Sequence, residues 1–246
     1  MMSRNQQIDR EMPLVDHLAE LRKRLLVVLG LFSGFFVVGY FGSRPILYWV
    51  IQRSDLRHLA VIGITEAFFG LVKVDFVLSL IAVSPVLLYQ TMAFILPGLT
   101  RTEKTMVSVL VIPGMVLFAG GTAVGFFWFV PIVLTVMLSF TGHGIVPLWT
   151  LSNYLSFVID LSLPFGLFFE LPLVSAVLSY HGMIRPGVFV RYRRYAVLGA
   201  FVLAAILAPP DALSMLLMAI PFYLIYELSH VVALVAENRG KLKIQR

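Results

Sequence analysis

Apolar residues gather into six long stretches, at residues 25–42, 76–96, 106–130, 157–180, 195–208 and 212–226, with charges and turn residues collected between them. The first four reach or approach the roughly 20 residues that a helix rising 1.5 Å per residue needs to cross about 30 Å of hydrocarbon. The last two are shorter, about 21–23 Å each at that rise, and are joined by the tight turn Pro209-Pro210-Asp211, so they predict a short hairpin that locally thins the bilayer or stops short of its far surface. The pattern predicts an all-α, polytopic membrane protein with six transmembrane helices, residues 1–246 forming a single membrane domain. Residues 43–75 and 131–156 are long, mix apolar with turn residues, and predict short interfacial helices on one face. The first apolar run follows a polar-rich stretch and has no A-x-A-like site behind it, so it is expected to be retained as a span.

Charge fixes the expected orientation. Arg4, Arg10, Arg22, Lys23 and Arg24 precede the first span, and Arg101 and Lys104 lie between the second and third. Arg185, Arg191, Arg193 and Arg194 lie between the fourth and fifth, and Arg239, Lys241, Lys243 and Arg246 form a basic tail within residues 237–246. Only Arg44, Arg53, Arg57 and Lys73 fall on the other side, so the positive-inside rule predicts N-in, C-in. Trp49, Trp128 and Trp149 fall near the outer face, as an aromatic belt would.

Composition supports a bilayer protein: the 246 residues are 59% hydrophobic and 13% charged, against about 25% charged in an average soluble domain. The net charge of +6 is explained by these flanking clusters rather than by nucleic-acid binding. With no cysteine in the chain, disulfides, thiolate nucleophiles and thiolate metal sites are excluded. His17, His58, His143, His181 and His230 have no metal-like spacing, and neither HExxH nor a phosphate-binding loop is present. No metal, cofactor or enzymatic activity is expected, and there is no two-fold repeat of broken helices to suggest a secondary transporter.

The acids hold more information. Glu170, in LPFGLFFELPLV, lies near the middle of the fourth span, where an ionised acid costs from about 2.5 kcal/mol upward. It is either a neutral acid bonded to backbone freed by Pro172 or, the favoured reading, a polar contact in a wet groove or with a partner helix. Glu227 ends the sixth span at the rim and is a solvated, Arg-paired or working acid; Asp211 fits a helix N-cap. In SPVLLYQTMAFILPGLTRTEK, Pro85 and Pro97 kink or stop the second span, Gln90 puts an amide inside it, and Glu103 follows beside Arg101 and Lys104. Glu20, in HLAELRKRLL, is four residues from Arg24, a favourable i,i+4 pair.

Together HLAELRKRLL, SPVLLYQ…AFILPGLTRTEK, FGLFFELP and LAPPDALSMLLMAIPFYLIYEL resemble, in order and spacing, the TatC family, the core receptor subunit of the twin-arginine protein translocase. The resemblance runs from about Met12 to about Glu237. It implies a cup-shaped six-helix protein of the plasma (inner) membrane, with both termini cytoplasmic. Such a protein recognises folded cargo by the paired arginines of its signal peptide. By that resemblance Glu20 and Glu103 form the arginine site, Arg22 and Phe94 shape it, and Glu170 faces the concave groove. Spans five and six would contact single-span subunits of the TatA and TatB type, and self-association is expected. Met92 stands where the family pattern calls for a bulky aromatic. The alternative from another class is a proton- or ion-coupled secondary transporter using Glu170.

Overall fold

The computed structural model describes the backbone at residues 14–54, 59–95, 101–140, 148–209 and 211–244, and the side chains of the same residues except 14–17, 95, 101–110 and 240–244. The helices in chain order are α1 (Leu14–Gly39), α2 (Ser43–Gln52), α3 (Glu66–Ile95), α4 (Arg101–Val124), a π-helical segment (Gly125–Phe129), α5 (Val130–Ser139), α6 (Leu151–Phe169), α7 (Leu171–Tyr180), α8 (Gly187–Arg191), α9 (Arg193–Leu207) and α10 (Ala212–Ile244). The one extended pairing among the described residues is the isolated bridge between Ala60 and Thr150.

Four stretches are long and apolar enough to cross a bilayer: Glu66–Phe94, Val111–Ser139, Leu151–Tyr180 and Ala212–Arg239. The first span is a broken pair, Leu18–Gly39 and Ser43–Gln52, bent by 75°, which turns α2 across the end of the span remote from the amino terminus as an interfacial helix. The fifth in chain order is α9, whose 15 residues rise only about 22 Å. The protein is therefore an all-α, multi-pass membrane protein.

Several boundaries differ from those in the sequence pattern. Helix α3 starts ten residues before residue 76, because Phe68, Phe69, Leu71, Val72 and Val74 surround Lys73 and Asp75 with enough apolar surface to continue the helix. The third span does not end at residue 130: it passes through the π turn and carries on as α5, so much of residues 131–156 extends a span instead of forming an interfacial helix. The inserted turn relieves crowding where Gly125 packs on α6. The hairpin of two short spans is corrected in its second half, since α10 runs 33 residues, past Tyr226 and into the basic tail.

Helices α1 and α3 are antiparallel, with Arg24 beside Gln90, Phe32 on Phe76 at 5.4 Å between centroids and Tyr40 on Phe68 at 6.1 Å. The seam between α4 and α6 is closer. A Cβ on Gly121 would lie 2.6 Å from the carbonyl oxygen of Phe165, and one on Gly125 would lie 2.6 Å from Cα of Ser162. The pair forms a Gly-Thr-Ala-Val-Gly sequence, the small-xxx-small spacing that lets helix backbones approach in lipid. Around this seam the core gathers Val133, Leu155, Leu161, Phe165, Ala204, Met218 and Phe222, with the rings of Phe168 and Phe222 parallel at 3.9 Å.

Candidate functional site

Polar side chains meet where the start of α1 lies beside the end of α3. Arg24 Nε donates to Glu20 Oε1 at 3.0 Å, and Nη2 donates to the same oxygen. Its third nitrogen, Nη1, donates across the helix pair to Gln90 Oε1 at 2.9 Å. Glu20 and Arg24 are about a quarter exposed, so the pair is partly shielded yet reaches water. Gln90, expected simply as an amide inside the second span, is thus engaged with α1. Phe94 lies one helical turn beyond Gln90 on the same face of α3 and is half-buried, while Arg22 is exposed. Glu103 belongs to the first turn of α4, and its side chain lies outside the described residues. Among the described residues Glu20 Oε2 accepts no hydrogen bond, while a guanidinium holds Oε1.

Pro85 lies inside α3 and cannot donate to the carbonyl of Ile81. The hydroxyl of Ser84 does so instead, at 2.8 Å, which keeps the freed carbonyl satisfied within the span.

Glu170 marks the break between α6 and α7. Pro172 at the second position of α7 lacks the N–H that would continue the ladder to Phe168. The Glu170 carbonyl restarts the ladder by accepting from Val174 N at 2.9 Å. Its Oε2 is buried without a hydrogen-bond partner and points at α4, where a Cβ on Gly114 would lie 3.5 Å away. Beside it Met92, Leu88, Leu173 and Val177 form a small apolar cluster. Met92 is 2% exposed, its flexible thioether packed into this cluster.

Glu227 is a paired acid. Arg193 Nη2 donates to its Oε2 at 2.8 Å and the Tyr223 hydroxyl to its Oε1 at 2.6 Å, which ties the start of α9 to α10. Asp211 Oδ1 accepts from Ser214 N at 2.7 Å, the geometry of an N-cap on α10.

Two charged groups escaped the sequence reading, which left both in an outer loop. Lys73 Nζ donates to Ser152 O at 3.1 Å, Ser152 Oγ at 2.8 Å and Ser156 Oγ at 2.7 Å. Asp75 is fully buried, and neither carboxylate oxygen has a hydrogen-bond partner. The available signal was the apolar residues on both sides of Lys73 and Asp75, which continue the helical face back to Phe68. On the same side Glu66 accepts from Ile62 N at 2.8 Å and Ser152 N at 3.2 Å, stitching the outer segment to α6.

These features define a class: a helical multi-pass membrane protein whose chemistry centres on a rim carboxylate holding a guanidinium and on isolated acids within its spans. Residues 16–221 match the family model of the Sec-independent protein translocase protein TatC, and the chain belongs to the TatC family. It is 36% identical over 226 residues to the Sec-independent protein translocase protein TatC of Listeria innocua, covering 90% of this chain and 91% of that protein. With TatC of Aquifex aeolicus the identity is 35% over 243 residues, 96% of this chain and 100% of that one. With TatC of Escherichia coli it is 33% over 229 residues, 90% and 88% of the two chains. A crystal structure of the twin arginine translocase receptor TatC superposes with a TM-score of 0.77 at 33% identity, covering 89% of this chain and 99% of that one.

Proposed function

We propose that this translocase subunit is the receptor for twin-arginine signal peptides, set in the plasma membrane with both termini cytoplasmic. The observation that carries the reading is the Glu20–Arg24 contact: the rim carboxylate already grips a guanidinium and has a second oxygen to offer. A carboxylate takes the planar fork of arginine better than the point charge of lysine, so Glu20 and Glu103 together select an Arg-Arg pair over Lys-Lys. Phe94, one turn from Gln90, supplies an apolar wall, and Arg22 sets the charge at the margin. The apolar part of the signal then lies in the groove toward Glu170. The α9–α10 hairpin offers a face to TatA- and TatB-type single-span subunits, and copies of the chain self-associate around it.

Full-length protein in membranes, challenged with a photo-crosslinkable twin-arginine peptide, tests the site. Glu20→Gln and Glu103→Gln should each abolish the crosslink while leaving membrane insertion intact, and a Lys-Lys peptide should crosslink weakly to the unaltered chain. Normal crosslinking in both variants rejects the assignment. A second reading, proton- or ion-coupled transport, rests on the buried, unpartnered Oε2 of Glu170. Solute uptake by purified protein in liposomes, lost in Glu170→Gln, would favour it.

A further inference from the structure

At the outer face, away from the proposed arginine site, α2 ends over a cavity of about 320 Å³ lined by Gln52, Arg53, Ser54, Phe126, Phe127 and Tyr154, among others. Arg53 stands over the ring of Phe127, its guanidinium carbon 5.2 Å from the centroid, a contact that orients the cation without neutralising it. No carboxylate among the described residues pairs with it. Phe126 and Phe127 also wall a second space of about 200 Å³, almost wholly apolar, lined further by Leu78, Ile81, Ala123 and Ile159. The two spaces therefore adjoin at these rings, one polar and cationic, the other greasy. The apolar part runs along α3 from Val74 to Ile81, a rise of about 10 Å at 1.5 Å per residue, enough for part of one acyl chain.

We propose that this composite cavity is a binding site for one anionic phospholipid, its phosphodiester on Arg53 and one acyl chain in the groove below. Charge complementarity selects the head, since among the described residues Arg53 is the one cation lining the cavity and no acid lines it. The apolar space selects the tail, since its walls offer almost no polar group to a peptide backbone and suit a hydrocarbon chain. The site is independent of signal recognition and stands or falls separately from it.

Native mass spectrometry of the full-length protein, supplied with equal amounts of phosphatidylglycerol and phosphatidylcholine, tests the proposal. The unaltered chain should retain phosphatidylglycerol about fivefold over phosphatidylcholine, as expected for one arginine facing an anionic lipid. Arg53→Gln should bring the ratio close to one, with Arg53→Lys in between. Dihexanoyl phosphatidylglycerol, with the same head on cut chains, should be retained less than the long-chain lipid, and millimolar inorganic phosphate should not displace the latter. Because the lipids are varied on an unaltered protein, these arms do not depend on how a variant folds. An unchanged ratio in Arg53→Gln overturns the proposal. So does equal retention of the short-chain lipid, or displacement by phosphate, which would identify a site for free anions.

Discussion

Arg24 on α1 donates to Gln90 on α3 across 2.9 Å while its other nitrogens hold Glu20, so one guanidinium joins a helix pair and a carboxylate at the same rim. Replacing Gln90 by Leu removes the cross-helix acceptor and leaves the i,i+4 pair in place. A neutral acceptor facing a charged, partly exposed donor is worth about 1 kcal/mol or a little more. Gln90→Leu should lower the thermal midpoint of the purified protein accordingly. An unchanged midpoint would mean that the contact contributes nothing to holding α1 on α3.

The α4–α6 seam makes a contrast of signs within one residue type. A Cβ at Gly121 would meet the Phe165 carbonyl, and backbone does not yield as a side chain does. Gly121→Ala should therefore cost about 1–3 kcal/mol, the usual range for overpacking. Gly30 on α1 has nothing within 4 Å of its Cβ position, so Gly30→Ala should be neutral or stabilising, by up to about 1 kcal/mol of helix propensity. Thermal unfolding of both variants in the same detergent checks the pair. A Gly121→Ala protein as stable as Gly30→Ala would remove the close-approach argument.

Asp75 is expected to weaken the fold. Both its oxygens are buried and unpartnered, and leaving a polar group so placed costs about 1–3 kcal/mol. Asp75→Val keeps similar bulk and discards the polar atoms, so the midpoint should rise. Asp75→Asn, which buries an amide instead, should gain less. A fall in Asp75→Val would show that the carboxyl is satisfied, with the neighbouring Ser79 hydroxyl as the nearest donor.

Asp211 should behave as a cap. Asp211→Ala should cost about 1 kcal/mol, and Asp211→Asn, which can still accept from Ser214 N, only a fraction of that. Equal losses in the two variants would assign the cost to the charge and not to the hydrogen bond.

Much of this architecture is legible because hydrocarbon is an unforgiving solvent: unbroken apolar runs of span length have few alternatives to helix. What the runs conceal is where helices continue through polar residues. Lys73 and Asp75 read as loop because charge is costly in lipid, yet the lysine is satisfied by serines on α6 that lie nearly eighty positions away, a partnership no local window contains. The π turn at Gly125 is hidden for a related reason, since it answers to close packing on Ser162 rather than to anything in GFFWF itself. The sixth span looked short because Glu227 ends its apolar run, whereas Arg193 and Tyr223 occupy both oxygens of that acid and the helix carries on. The candidate site was half visible. Glu20 and Arg24 are readable as an i,i+4 pair, but that Gln90 joins them follows only from the antiparallel packing of α1 on α3.

An ammonium group has three protons, and Lys73 commits them all to α6. The outer ends of α3 and α6 are bound together like the spine of a book, with no donor left to trade for another acceptor. The clasp sits at the end of α3 remote from Gln90 and Phe94.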